Sequence, residues 1–142
     1  MQPDDHRNGS ELVAGIRRTA CFGRCSAYSV AVYRDGDVEY TGRSNVTTIG
    51  SARGHLDPAQ VRDLEQRLTN VLTLDDDYDS HVTDIPTTYL WYRPIGGPTK
   101  FITHHGSAPE ALVAAEHALD QAIDVQQWIG SPTTRGRTRT DN

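Results

Sequence analysis

Polar and hydrophobic residues alternate over residues 11–19, with Leu12, Ala14 and Ile16 on the same parity. Alternation with a period of two is typical of a strand that buries one face. The chain therefore opens with a predicted strand.

A β-hairpin is predicted directly after this strand. Segments 28–34 and 37–41 are rich in aromatic and β-branched residues and are joined by Asp35-Gly36. A two-residue Asp-Gly connection favours a type I′ turn, because both residue types tolerate positive φ. This turn would place Tyr33 opposite Val38. The face expected to be buried comprises Ala31, Tyr33, Val38 and Tyr40.

Two amphipathic helices are predicted from capping signals and helical spacing. Asp57, Pro58 and Gln60 form a capping box with proline in the first turn, and Ser107 with Glu110 is interpreted as a second capping box. Hydrophobic residues follow each start at a spacing that lines one helix face. They are Val61, Leu64, Leu68, Val71 and Leu72 in the first helix, and Leu112, Ala115, Leu119 and Ile123 in the second.

Between the two helices, segments 87–93 and 99–104 predict a second pair of strands. A short edge strand is also considered at 46–49. The pattern predicts a two-layer α+β domain, with an antiparallel sheet of about five strands in the order βββ-α-ββ-α and both helices on one face. We expect a flexible N terminus over 1–10, a single domain over 11–129, and a disordered arginine-containing tail over 130–142.

Cys21 and Cys25 are the two cysteines of the chain, and they precede the hairpin. An extended strand would separate their Cα atoms by roughly 13 Å, whereas a disulfide needs about 4.4 to 6.8 Å. A bridge would therefore require a folded-back loop, which Gly23 permits. Three interpretations stay open: buried apolar residues, a structural disulfide, or a reactive thiol pair near Arg18 and Arg24.

The cysteine segment resembles a bacterial domain family of unknown function. That family has a strand, a Cys-Phe-Gly-x-Cys-Pro-x-Tyr motif, an Asp-Gly hairpin, and later a tyrosine followed by Thr-Asp-x-Pro. The matching residues here are Ile16 to Val30, Asp35-Gly36, Tyr40-Thr41-Gly42, Tyr78 and Thr83 to Thr87. Ser26 stands at the motif's proline position. The resemblance covers about 11–128; it implies a fold and marked positions but no activity.

The charge of the chain limits its partners. The formal net charge is -5, and the tail contributes three arginines and one aspartate. An acidic body disfavours broad nucleic-acid binding. Residues 1–10 are hydrophilic, and no apolar stretch is long enough to cross a membrane. The expected location is the cytoplasm, and export would require a leader segment ahead of this sequence.

An acidic stretch and an aromatic strand are further candidates for chemistry. Five aspartates occupy 75–84, but Ser80 and Pro86 replace the glycine and glutamate of a calcium loop. Neither a metal nor a cofactor is therefore predicted. Tyr89 and Trp91 share one parity with an arginine, as in a stacking platform for a ligand or for unpaired bases, although an interpretation as sheet core is favoured.

The sequence favours a binding or interaction module over an enzyme, with an unidentified protein or small molecule as its partner. The candidate binding residues are Arg18, Arg24, Tyr28, Asp84 and Trp91. The alternative is a thiol-based redox or metal-responsive protein that uses Cys21 and Cys25.

Overall fold

A computed structural model describes residues 6–7, 10–21, 25–79 and 85–130. Strands and helices are arranged as an α+β fold. The strands are β1 (His6–Arg7), β2 (Ser10–Arg18), β3 (Ala27–Tyr33), β4 (Asp37–Ser44), β5 (Gly50–His55), β6 (Asp77–Asp79), β7 (Thr88–Tyr92) and β8 (Lys100–His105). The helices are α1 (Pro58–Leu68), which continues into a 3₁₀ turn (Thr69–Thr73), α2 (Glu110–Ala122) and α3 (Gln126–Ile129).

The sheet is larger than the five strands predicted. Among the described residues, seven strands pair in the order β5-β4-β3-β2-β7-β8-β6, and the two-residue β1 pairs with the start of β2. All pairs are antiparallel except β6 with β8. The edge strand considered at 46–49 forms instead at β5, whose Gly-Ser-Ala-Arg-Gly-His sequence has no hydrophobic alternation. Such a strand is held by backbone pairing with its neighbour rather than by burial of alternate side chains.

The hairpin of β3 and β4 has a different register from the one predicted. Val32 pairs with Val38 and Ala31 with Glu39, because the turn contains three residues instead of two. The amide of Gly36 donates to the carbonyl of Tyr33, and Gly36 has a φ of 94°. A turn closed in this way and followed by a glycine with positive φ is the usual three-residue hairpin connection. The shift by one residue puts Ala31 and Tyr33 on the opposite face from Tyr40.

Helix α1 begins as its sequence signals predict. The Asp57 side chain accepts from the amide of Gln60, whose own side chain accepts from the amide of Asp57. Helix α2 begins later than predicted, at Glu110, with Pro109 as its N-cap instead of Ser107. A helix that began at Ser107 would need a helical residue directly before a proline, which the proline ring disfavours.

The helices cover one face of the sheet and form the main core there. Its sheet residues come from the central strands, and α1, α2 and α3 contribute Leu64, Leu119 and Trp128. On the other face a smaller cluster contains Leu12, Tyr33 and Trp91. The predicted α+β class is thus confirmed, although the described residues contain three helices rather than the two predicted. Among the described residues no helix is both long and apolar enough to span a membrane. Most of the predicted flexible terminus and disordered tail lies outside the described residues.

Candidate functional site

A cavity of about 700 Å³ lies where the end of β2 meets the starts of β3 and β7, beneath the last turns of α2 and α3. Its volume is within the range of small-molecule pockets, which is roughly 300 to 1,000 Å³. The polar lining includes Arg18, Thr88, His117, Asp120, Gln121 and Asp124. The apolar lining includes Pro86, Val125 and Ile129, and Tyr28 contributes both kinds of surface. We call this the Arg18 cavity.

Strand pairing brings the floor of the Arg18 cavity together. Arg18 is the Cα partner of Tyr28 on β3 and of Thr88 on β7, so the three residues form a row across the sheet. Cross-strand partners place their side chains on the same face. That face is the one that α2 covers, and α2 brings Asp120 over the row.

The row and Asp120 are joined by a closed set of hydrogen bonds. The Arg18 guanidinium donates from Nε to the Tyr28 hydroxyl at 3.0 Å, and from Nη1 to the Thr88 hydroxyl at 3.2 Å. From Nη2 it donates to Oδ2 of Asp120 at 2.7 Å. The Tyr28 hydroxyl donates to the other Asp120 oxygen at 2.9 Å. Each group constrains its neighbours, so the floor is rigid before any ligand arrives.

Burial and charge fix the protonation states of this floor. Burial opposes the charge on Arg18, but the Asp120 carboxylate and Tyr28 more than offset burial and raise the pKa of the guanidinium. Burial, followed by the negative charge of Asp120, raises the pKa of the Tyr28 hydroxyl, and Arg18 offsets part of that rise. Arg18 is therefore a fixed cation and Tyr28 a neutral donor.

A buried carboxylate and a histidine extend the network below Arg18. Glu116 is 3% exposed, and its Oε1 lies 4.0 Å from Nη1 of Arg18. Its Oε2 is 2.6 Å from Nδ1 of His104, whose Nε2 is 2.9 Å from the carbonyl of Gly106. A carbonyl only accepts, so Nε2 of His104 is the donor in the contact with Gly106. The buried Glu116 side chain thus has two neighbours, Arg18 on one oxygen and His104 on the other.

The cysteines lie at the rim of the Arg18 cavity. Cys21 and Cys25 are joined by a disulfide with a Cα–Cα distance of 5.6 Å, and Cys25 contributes to the lining. Of the three interpretations of the pair, the structure thus has the bridged one. The carbonyl of Cys25 also accepts from Nδ2 of Asn45 at 3.3 Å, and the Ser26 hydroxyl donates to the carbonyl of Asn45 at 3.2 Å. These contacts fasten the exit of the loop to the segment after β4.

The five predicted binding residues divide into three groups. Arg18 and Tyr28 meet at the floor of the cavity, although only 1% of Tyr28 is exposed. Trp91 lies on the opposite face of the sheet and is 6% exposed, which agrees with the interpretation of its strand as sheet core. Arg24 and Asp84 lie outside the described residues.

Sequence reasoning missed Thr88, Asp120, Glu116 and the role of His104. Asp120 is 102 positions from Arg18, and no local motif connects them. One signal was available for His104: adjacent residues on a strand point to opposite faces. His104 contacts Glu116 on α2, whereas His105 contacts the Thr87 hydroxyl at 2.8 Å.

Comparison with known proteins gives a match to a family model. A family model for a domain of unknown function (DUF6438) matches residues 13–123. This range includes every residue of the hydrogen-bonded floor. A search of curated proteins found no match. Within the part of the chain that the structure describes, no group of three or more His, Cys, Asp or Glu side chains is placed to hold a metal ion.

Proposed function

The chain belongs to the domain-of-unknown-function family DUF6438, and we propose that it is a binding module whose ligand site is the Arg18 cavity. The observation that carries this proposal is the rigid floor of Arg18, Tyr28, Thr88 and Asp120 beneath a cavity of about 700 Å³. A site with its polar groups already positioned loses little conformational freedom when a ligand binds.

The lining indicates the chemical class of the ligand. One arginine faces two aspartates, Asp120 and Asp124, so the lining has a net charge of -1 with neutral histidine. Arg18 already directs its charge to Asp120, whereas Asp124 is exposed at the rim. Val125 and Ile129 supply an apolar wall. The ligand is a small polar molecule, neutral or singly cationic, with one apolar side.

Binding is favoured over catalysis because the floor offers no activated group. The cysteines are bonded to each other, Arg18 stays protonated, and the pKa of Tyr28 is raised rather than lowered. Asp120 accepts a hydrogen bond on each carboxylate oxygen, from Arg18 on Oδ2 and from Tyr28 on Oδ1, so neither oxygen is held ready for a substrate proton. Hydrogen-bond donors and acceptors in fixed positions are suited to recognition.

Three probes of one shape test the proposal: benzamidine, benzamide and benzoate. The full chain, labelled with ¹⁵N, is titrated with each probe and its amide resonances are followed. We expect benzamidine and benzamide to shift the amides of Thr88, Gln121 and Gln126, and benzoate to bind more weakly than either. Shifts confined to other parts of the chain, or no saturation with any probe, would contradict the proposal.

The variant Asp124→Asn tests the predicted charge preference. Asn tolerates the φ of 51° at this position at least as well as Asp does. The affinity of the Asp124→Asn variant for benzamidine should be about three- to five-fold lower than that of the wild type, which is the effect of losing one exposed ion pair. Its affinity for benzamide should not change. Asp63→Asn removes an equivalent charge from the exposed side of α1 and should alter neither affinity.

A second candidate function is supported by the disulfide at the rim. A dithiol reductant would break the Sγ–Sγ bond of Cys21 and Cys25, leave two thiols, and become a cyclic disulfide itself. The rim would then lose a covalent constraint, and ligand affinity would respond to redox state. In this case reduction should weaken benzamidine binding reversibly, and the double variant Cys21→Ser/Cys25→Ser should match the reduced protein. Equal affinity in both states would make the bridge purely structural.

A further inference from the structure

The opposite face of the sheet carries a second cavity, of about 240 Å³, whose lining differs from that of the first. Three aromatic side chains, Tyr89, Trp91 and Phe101, form one side of it, and Arg17 and Arg43 stand beside them. The helices pack on the other face, so this cavity shares no lining residue with the Arg18 cavity. We call it the Trp91 cavity.

The aromatic side chains form a row of nearly parallel rings. The ring centroids of Trp91 and Phe101 are 5.9 Å apart with planes inclined by 15°, and those of Tyr89 and Phe101 are 5.8 Å apart at 29°. The indole of Trp91 packs directly against the backbone of Gly15. A side chain at this position would block that contact, because a Cβ on Gly15 would lie 2.2 Å from Cζ2 of the indole. Rings fixed at one inclination offer a planar ligand a surface to stack on.

Positive charge borders these rings. The guanidinium carbon of Arg17 lies 5.9 Å from the centroid of Tyr89, and Arg43 is exposed at the rim of the cavity. The single carboxylate in the lining, Glu39, lies 3.5 Å from Arg53, which is outside the lining. The charge next to the rings is therefore positive, although the chain as a whole is acidic.

From this arrangement we infer that the Trp91 cavity binds a planar aromatic anion. The ring system stacks against Phe101 and Tyr89, and the anionic group extends toward Arg43. The volume accommodates one or two fused rings, with the substituent at the mouth. Aromatic side chains stack on planar ring systems of many kinds, because each of these has a π face. The same chemistry is found in arylcarboxylates and in nucleoside monophosphates.

The two tryptophans of the chain provide an internal control for the test. Trp91 lines the cavity, whereas Trp128 stacks on Tyr40 within the core on the helix face, with centroids 4.8 Å apart. Titration of the ¹⁵N-labelled chain with 2-naphthoate should shift the indole N–H resonance of Trp91 and leave that of Trp128 in place. A shift of Trp128 alone, or of neither resonance, would overturn the inference.

Charge complementarity is tested by one probe pair and one variant. The neutral isostere 2-naphthamide should bind more weakly than 2-naphthoate. Arg43→Gln should lower the affinity for 2-naphthoate about three- to five-fold, as expected for an exposed ion pair, and leave that for 2-naphthamide unchanged. Arg62→Gln, an exposed position on α1, is the matched control and should have no effect. Equal binding of both probes, or no effect of Arg43→Gln, would contradict an anion site.

Adenosine 5′-monophosphate distinguishes the two sources of such a ligand. If it binds more tightly than 2-naphthoate, with the same dependence on Arg43, the site is for nucleotides; if it binds less tightly, the site is for arylcarboxylates. Ribose 5-phosphate has the phosphate without the base and should not shift the Trp91 resonance. A shift of the same size with ribose 5-phosphate would show that the aromatic row does not contribute to binding, and it would overturn the inference.

Discussion

Tyr28 combines a ring that belongs to the core with a hydroxyl that belongs to the cavity floor. The ring centroid is 6.1 Å from that of Tyr40, and the hydroxyl accepts from Arg18 and donates to Asp120. The Cys-x-x-x-Cys-x-x-Tyr spacing drew attention to this residue in the sequence, but its ring could not be assigned to a face until the hairpin register was known. A single residue of register separates a buried tyrosine from an exposed one.

The hydroxyl of Tyr28 makes the free energy of unfolding depend on pH in the alkaline range. Because burial and Asp120 raise its pKa above the ordinary 10.0, it keeps its proton in the folded chain when the unfolded chain has lost it. Its contribution is therefore complete below about pH 10 and is lost progressively at higher pH. In urea unfolding between about pH 10 and 11.5, the free energy of unfolding should fall more steeply for the wild type than for Tyr28→Phe, by up to about 1.4 kcal/mol per pH unit. Parallel pH profiles would contradict this account of the floor.

Gly15 is required by a contact that no local pattern reveals. It pairs with Trp91 across β2 and β7, and the indole occupies the space of the missing side chain. Gly15→Ala should lower the free energy of unfolding by about 1 to 3 kcal/mol, since the buried ring must move to admit the methyl group. Ser51→Ala, at an exposed position on β5, should change it by less than about 0.5 kcal/mol. Equal urea midpoints for the two variants would show that the indole relaxes freely.

At the scale of elements, prediction succeeded where the signals are local. The start of α1 is specified by Asp57, Pro58 and Gln60 within four consecutive positions, and the structure has the same cap. Prediction failed where pairing with a neighbouring strand determines the conformation of a segment. The strands β5 and β6 are polar and lie at the two edges of the sheet, so their conformation comes from pairing with β4 and β8.

The contribution of the capping box of α1 to stability can be measured directly. Asp57→Ala removes the side-chain acceptor for the amide of Gln60 and should lower the free energy of unfolding by about 1 kcal/mol. Gln66→Ala lies on the exposed side of the same helix and should have an effect below about 0.5 kcal/mol. Thermal unfolding of the two variants beside the wild type tests the difference. An equal loss in both would mean that the box contributes nothing beyond helix propensity.

At the scale of the molecule, one sheet separates two surfaces of different chemistry. The helix side has the acidic Arg18 cavity, and the other side has the cationic, aromatic Trp91 cavity. Sequence analysis selected Arg18 and Tyr28, which lie on the helix side, and Trp91, which lies on the other side. It gave no reason to assign them to different faces of the sheet. The separation follows from parity along β2 and β7, which places Arg18 and Thr88 on one face and Arg17 and Tyr89 on the other. Asp120 could not be predicted, because only the packing of α2 brings it to the strand row.

The central claim, that the Arg18 cavity is the ligand site, is tested most directly by intermolecular nuclear Overhauser effects from bound benzamidine. Its ring protons should show contacts to the methyl groups of Val125 and Ile129, which line the apolar wall, and to that of Thr88 on the floor. Contacts to Ile49 or Ile95, which are exposed hydrophobic residues outside the cavity, in place of these methyl groups would contradict the claim.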